Sequence, residues 1–143
     1  MAINQITVFL ENKAGALLNV TKILSDNNVD LRAINIAETA DYGLLRMITA
    51  DNASAEKVLK NEGLIFTETP VLAVAIDDKP GALSGVLEVL AKENIDVHYM
   101  YSIFGHQNGF AYMIMQVENT EKANEILKAN GITIAEARDL QIG

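Results

Sequence analysis

The sequence contains two copies of one pattern. LENKAGAL at residues 10–17 aligns with IDDKPGAL at residues 76–83, and matches continue to residue 48 of the first copy and residue 114 of the second. Further on, LKNEG at 59–63 aligns with LKANG at 127–131. An internal repeat constrains the fold strongly, because each copy must form the same structural unit. We predict two domains, residues 1–69 and 70–143, divided near Thr69-Pro70, where proline marks a break.

Each copy shows the order strand, helix, strand, strand, helix, strand. Short apolar runs bounded by polar turn residues indicate strands, whereas apolar residues three or four positions apart indicate helices. Asn52 and Asn119 are predicted N-caps, and Gly63 and Gly131 are predicted to end the same helices. Predicted strands are residues 6–10, 31–37, 44–49 and 64–67, then 71–76, 97–104, 110–117 and 132–135.

This order predicts an α+β fold of two tandem ferredoxin-like βαββαβ domains. A unit of about 66 residues is marginally stable alone, because so little of its surface can be buried. We therefore expect the two domains to dock and to share an extended antiparallel sheet with the helices on one face.

Composition excludes several classes of function. The 143 residues carry 11 Lys and Arg against 19 Asp and Glu, and a net charge of −8 opposes binding to nucleic acid or to an anionic membrane. The absence of cysteine removes disulfides, thiolate metal sites and cysteine nucleophiles. No apolar run approaches the ~20 residues of a membrane helix, and no secretory signal is visible. We expect a cytoplasmic protein without a cofactor or metal.

Catalytic residues have few candidates in this sequence. The only two histidines, His98 in a predicted strand and His106 in a predicted turn, lack the spaced partners that a metal site needs. No serine lies in a recognisable nucleophile elbow. Asp30 and Asp96 are repeated between the copies, but turn and capping chemistry explains them. We expect no enzymatic activity, and an enzyme acting through either histidine is the last of the alternatives.

The turn between the first strand and the first helix is the most informative repeated segment. It reads ENKAGAL at residues 11–17 and DDKPGAL at residues 77–83. Glycine permits an unusual backbone angle, and the first N–H groups of a helix lack intrahelical partners, so they can hold a carboxylate. The side-chain oxygen of Asn12 or Asp78 suits an ammonium group. The turn therefore suits a zwitterion; a plain tight turn, duplicated with the rest of the copy, is the alternative.

These features resemble the ACT domain. The resemblance rests on the DKPGAL turn at 78–83, a first helix that ends near Asn-Ile/Val-Asp, and the 66-residue βαββαβ period. It covers the chain as two tandem copies without a catalytic domain. The first copy departs from the family pattern at Asn12, where Asp is common, and at Ala14, where Pro is usual. The resemblance implies a regulatory protein that binds a free amino acid and modulates an enzyme of amino-acid metabolism.

The resemblance also implies where the ligand lies, namely between the first turn of one domain and the second strand of its neighbour. One implied site combines Asn12, Lys13, Ala14, Gly15, Ala16 and Leu17 with Tyr101, Ser102 and Ile103. Its pseudo-symmetric counterpart combines Asp78, Lys79, Pro80, Gly81, Ala82 and Leu83 with Asn35, Ile36 and Ala37. Because the second strands differ between the copies, we do not expect the two sites to be equivalent.

Two tyrosines are candidate contacts for the ligand and for a partner protein. Tyr99 and Tyr101 suggest an aromatic amino acid or histidine as the ligand, since an aromatic ring can stack on them. The same tyrosines are also suited to cover the sheet or to form a homodimer contact. Regulation would then act through a partner enzyme or a homodimer. A structural or assembly subunit that kept the fold and lost the ligand is the alternative, and the residues Asn12 and Ala14 make it tenable for the first copy.

Overall fold

The computed structural model describes residues 3–105 and 109–143, and it confirms the repeated βαββαβ order. The elements are β1 (Ile3–Glu11), α1 (Ala16–Asp26), β2 (Leu31–Glu38), β3 (Tyr42–Thr49), α2 (Asn52–Asn61), β4 (Phe66–Asp77), α3 (Ala82–Lys92), β5 (Val97–Ser102), β6 (Phe110–Val117), α4 (Thr120–Ala129) and a 3-10 helix (Ala137–Leu140). They form two compact units. The N-terminal unit is Asn4–Thr69 with Gln141–Gly143; the C-terminal unit is the described part of Pro70–Leu140 with Ile3.

The N-terminal unit places β1 in the middle of its strands. β3 pairs antiparallel with β1 on one side and with β2 on the other, so the order is β2-β3-β1. On the side of β1 opposite β3, the Phe9 N–H donates to the Ile65 carbonyl at 3.0 Å, so β1 lies between β3 and the residues that lead into β4. Alternate residues of β1 face α1 and α2, and the core comprises Ile6, Val8, Leu10, Val20, Leu24, Val29, Leu45, Met47, Ala55 and Leu59.

The C-terminal unit repeats this arrangement with β4 in the middle. β6 pairs antiparallel with β4 and β5, and the core comprises Leu72, Val74, Val86, Leu90, Met115, Val117, Ala123 and Leu127. The predicted last strand, residues 132–135, is reduced to one antiparallel bridge between Val74 and Ile134. Two hydrogen bonds flank this bridge, from Ala75 to Thr133 at 2.9 Å and from Ala135 to Ala73 at 2.8 Å.

Three further element boundaries differ from the sequence prediction. β4 runs without interruption through Pro70, because proline suits extended backbone and removes a single donor at this exposed position. β5 ends at Ser102, two residues before the predicted end. Asp51, not Asn52, caps α2; the Asn52 amide instead donates to the Asn4 carbonyl at 3.0 Å. The predicted cap Asn119 of α4 is confirmed.

The ends of the first helices follow the sequence prediction closely. Asn28 and Asn94, one residue past the C-cap of α1 and of α3, both have a φ of 58°. Asparagine tolerates this left-handed conformation better than most residues, which explains its recurrence at the same point of each copy. The turn into the second strand is therefore encoded locally.

Two neighbouring carboxyl groups make the stability of the N-terminal unit depend on pH. A hydrogen bond to Glu68, partial burial and the negative charge of Glu68 together raise the pKa of Glu56. The folded state thus favours protonated Glu56, and this contribution is lost as the pH rises through the raised pKa. Glu56→Gln keeps a hydrogen-bond donor without the charge, so we expect its Tm to exceed that of the wild type at pH 7 by about 1–3 °C.

The same comparison at pH 4 should show a smaller difference, because wild-type Glu56 is then protonated. Glu125→Gln, on the exposed surface of α4, is the matched control and should leave the Tm nearly unchanged. Thermal denaturation followed by circular dichroism measures all three proteins. A Glu56→Gln variant that is no more stable than the wild type at pH 7 would contradict this account.

Candidate functional site

The turn between the first strand and the first helix has the same backbone in both units. The Lys13 N–H donates to the Glu11 carbonyl at 2.9 Å, and the Ala16 N–H donates to the Lys13 carbonyl at 3.3 Å; the second copy has the same bonds at the same lengths. Gly15 and Gly81 precede the two helices with φ of 88° and 85°. Glycine is favoured here because this left-handed conformation strains residues that have a Cβ.

Side chains cap the second helix of each unit but not the first. The Asp51 carboxylate accepts from the Ser54 N–H at 3.2 Å, and the Asn119 side chain accepts from the Lys122 N–H at 3.1 Å. By contrast, no side-chain hydrogen bond caps α1 or α3 at Gly15 or Gly81 in the described part of the chain. The first-turn N–H groups of these two helices therefore lie without a side-chain acceptor, at the positive end of the helix dipole.

The residue before the turn lysine differs in its contacts between the copies. The Asn12 amide donates to the Thr39 carbonyl at 3.1 Å, which ties the first turn to the β2–β3 loop. A carboxylate cannot donate this bond, so Asp at this position would lose the contact with Thr39. The Asp78 backbone N–H donates to Gly109 at 2.8 Å, and no hydrogen bond or ion pair involves the Asp78 carboxylate in residues 3–105 and 109–143. Asp78 is thus the better acceptor for an ammonium group.

The turn lysines are paired only at the surface. Lys13 lies 3.0 Å from the Glu11 carboxylate, and Lys79 lies 3.9 Å from Asp77, with all four side chains largely exposed. Exposed pairs of this kind contribute little free energy, because water screens them and the long side chains lose freedom. Both lysines can therefore turn toward an anionic ligand at little cost.

Two cavities flank the turn of the N-terminal unit. The first, which we call the β2 groove, has a volume of about 440 Å³ and lies between the turn and strand β2. Its lining residues are Leu10, Glu11, Asn12, Lys13, Ala14, Ala16, Leu17, Ile36, Glu38 and Gly43. The structure thus brings the first turn beside Ile36 of its own unit. The implied pairing of each turn with the second strand of the other copy stays a prediction.

The second cavity, which we call the loop cavity, has a volume of about 640 Å³. It lies between the turn and the residues that join α2 to β4, and is lined by Phe9, Leu10, Glu11, Asn12, Lys13, Ala14, Gly15, Ala16, Asn19, Val20, Asp41, Tyr42, Gly63, Leu64 and Ile65. The C-terminal unit has a smaller cavity of about 350 Å³ at the corresponding place. Sequence analysis missed the loop cavity, because its walls are about 50 residues apart along the chain.

The predicted site residues on the second strands have varied environments. The Asn35 side chain accepts from Arg46 at 3.2 Å, Ala37 is half-buried and Ser102 is exposed. Tyr101 is only 7% exposed, and its ring stacks on Tyr99 with centroids 6.5 Å apart. Covering the sheet is one of the roles predicted for these tyrosines. Their contact with a ligand stays a prediction.

His98 belongs to no group of metal ligands in the described part of the chain. The His98 Nδ1 atom lies 2.6 Å from the Gln116 side-chain oxygen, and His106 lies outside the described residues. In residues 3–105 and 109–143, no three His, Asp or Glu side chains are grouped so as to hold a metal ion. Over the same residues, every helix is too short or too polar to cross a membrane.

A model of a known protein family, described as the ACT domain pair, matches residues 1–142. The chain belongs to the ACT domain pair family. A crystal structure of a Bacteroides thetaiotaomicron protein is 38% identical, with a TM-score of 0.91 over 99% of this chain and 96% of that one. This agreement extends the repeated fold to a protein of clearly related sequence.

Two solved structures of more distant sequence share the fold. The aspartate kinase regulatory subunit from Thermus thermophilus is 13% identical, with a TM-score of 0.63 over 90% of this chain and 93% of that one. The regulatory subunit from Thermus flavus is also 13% identical, with a TM-score of 0.60 over 90% of each chain. Comparison with curated proteins gave no match.

A pair of glycine substitutions tests the backbone of the second turn. A Cβ on Gly81 meets no atom within 4 Å, so its cost comes from the φ of 85° alone, and Gly81→Ala should destabilise by about 1–2 kcal/mol. Gly85 lies inside α3 with equal space around it, so Gly85→Ala should stabilise by about 0.5–1 kcal/mol. Urea unfolding measures both; equal effects of the same sign would contradict the assigned turn conformation.

Proposed function

We propose that this ACT domain pair is a non-catalytic regulator in the cytoplasm, which binds a free amino acid and modulates an enzyme of amino-acid metabolism. The observation that carries the proposal is the contrast between helix starts. α2 and α4 are capped by their own side chains, whereas α1 and α3 begin at left-handed glycines without a side-chain cap. Donors left without an internal acceptor in both copies suit an external carboxylate.

The turn residues divide the recognition of a zwitterion between them. The backbone N–H groups at Leu83 and Ser84 are placed to receive the carboxylate, with Lys79 adding a positive charge. The Asp78 carboxylate is the acceptor for the ammonium group, because it has no partner in the described part of the chain. In the first copy, the Asn12 oxygen takes this role while the Asn12 amide holds the β2–β3 loop. The second turn is therefore the stronger ammonium site.

A regulatory role, as opposed to a catalytic one, is supported by membership of the ACT domain pair family and by the fold that this chain shares with regulatory subunits of other proteins. The structural neighbours named above are regulatory subunits of aspartate kinase, and they share the fold at low sequence identity. A sensor of this size acts by shifting the population of a partner enzyme or of a homodimer, since ligand binding alone has no output. An aromatic amino acid or histidine is the proposed ligand class, with Tyr99 the more accessible of the two tyrosines.

An assembly subunit without a ligand is the second candidate function. The bond from Asn12 to the Thr39 carbonyl favours it for the first copy, because it occupies the side chain that the family commonly keeps acidic. Such a subunit would hold a partner enzyme whose activity does not respond to amino acids.

A thermal-shift screen of the full chain against the twenty amino acids separates the two candidates. A ligand at one hundred times its Kd should stabilise by about 2.7 kcal/mol, which corresponds to a rise of roughly 5–10 °C in Tm. Serine and glycine serve as internal controls for nonspecific effects of a zwitterion. A screen without any rise would contradict the sensor and favour the assembly subunit.

Gly81→Val tests whether the second turn holds the carboxylate. Valine at this position strains the turn because φ is 85°, so we expect a folded Gly81→Val protein to lose at least tenfold in affinity for the amino acid found in the screen. Isothermal titration calorimetry measures the Kd, and circular dichroism verifies the fold. Unchanged affinity in the folded variant would move the site away from this turn.

A further inference from the structure

The loop cavity of the N-terminal unit has the size and lining of a ligand pocket. Its volume of about 640 Å³ lies inside the usual range of small-molecule pockets, roughly 300–1,000 Å³. We propose that the loop cavity binds an α-amino acid with an apolar side chain, as a ligand site separate from the β2 groove. The proposal rests on the proposed function for the class of ligand, and it adds a second location and a side-chain preference.

Two apolar residues that line the loop cavity are exposed to solvent, and the fold does not require an apolar residue at position 65. Ile65 is 70% exposed and Tyr42 is 41% exposed, and both line the loop cavity. At the position of Ile65, the second copy has Thr133, which performs the same backbone pairing with the middle strand. A polar residue is therefore compatible with this position. An apolar ligand in the loop cavity would explain the isoleucine at position 65, because binding would remove the apolar surfaces of Ile65 and of the ligand from water.

The polar part of the lining carries both signs of charge. Lys13 lies on one wall, with the nearby Glu11 as its surface partner, and Asp41 lies beside Tyr42 on another. In residues 3–105 and 109–143, no hydrogen bond or ion pair involves the Asp41 carboxylate. A molecule with one carboxylate and one ammonium group matches this pair of charges. The lining residues Leu64 and Ile65 match an apolar side chain. An α-amino acid with an apolar side chain combines the carboxylate, the ammonium group and this apolar part.

Three positions that line the loop cavity carry other residues in the C-terminal unit. Phe9 is replaced by Ala75, Asn19 by Gly85 and Ile65 by Thr133, and the volume falls to about 350 Å³. The two copies thus differ in the chemistry of these three positions. We therefore expect an apolar amino acid to bind the loop cavity more tightly than the corresponding cavity of the second copy, which serves as an internal comparison.

The test is a titration of the ¹⁵N-labelled full chain with leucine and with phenylalanine, followed by NMR. The amides of Gly63 and Ile65 report on the loop cavity, those of Ile36 and Gly43 on the β2 groove, and that of Gly131 on the second copy. We expect saturable shifts at Gly63 and Ile65 that reach half of their final value at a lower leucine concentration than any shift at Gly131. Leucinamide lacks the carboxylate and 4-methylpentanoate lacks the ammonium group, and each should bind at least tenfold more weakly than leucine.

Two variants and one matched control locate the site. Ile65→Thr gives the first copy the residue of the second, and Asp41→Asn removes the free charge; each should weaken leucine binding at least fivefold. Thr133→Ile is the reverse change in the C-terminal unit and should leave the Kd unchanged. Because the second copy has threonine at the equivalent position 133, circular dichroism should show a normal fold for Ile65→Thr.

The outcomes separate this proposal from the proposed function. Shifts confined to Ile36 and Gly43 would overturn the loop cavity as a ligand site, and so would a leucine Kd that neither Ile65→Thr nor Asp41→Asn changes. Either result would remain compatible with the proposed amino-acid sensor. Shifts at Gly63 that disappear in Ile65→Thr would support the loop cavity. If neither leucine nor phenylalanine shifted any amide, the loop cavity would be overturned, and the thermal-shift screen would decide separately whether the chain binds another amino acid.

Discussion

The short turn between the first strand and the first helix is the constraint on which each unit depends. It joins the middle strand of the sheet to a helix that covers it, within the few residues from Glu11 to Ala16 in the first copy. The left-handed glycine makes this reversal possible, and it places the helix start where no side chain caps it. The same geometry that directs Val20 and Leu24 into the core thus leaves backbone donors available at the surface.

The two copies share the backbone of this turn and differ in the side chains beside it. Turn hydrogen bonds agree in length between the copies, whereas the flanking side chains diverge, as Asn12 and Asp78 or Ile65 and Thr133 show. Core positions must fit their neighbours, but residues that line a cavity can change without loss of the fold. A duplicated chain can therefore hold two cavities with one backbone and two chemistries.

Much of the fold could be predicted from the sequence, because periodicity and turn chemistry are local. The left-handed Asn28 and Asn94 and the cap at Asn119 follow from residue type and position alone. The continuous β4 and the single bridge at Ile134 could not, since pairing between distant segments decides whether a short apolar run is a strand. The turn was found from its motif, whereas the loop cavity depends on residues brought together by the fold.

Hydrogen–deuterium exchange of the full chain, with and without a saturating mixture of the twenty amino acids, tests the central claim most directly. The account predicts slower exchange in the first turns of α1 and α3, at residues 17–18 and 83–84, because the ligand carboxylate accepts from their N–H groups. The first turns of α2 and α4, which Asp51 and Asn119 already cap, should exchange at an unchanged rate. Equal exchange at α1 and α3 in both samples would contradict the claim that these turns hold an amino acid.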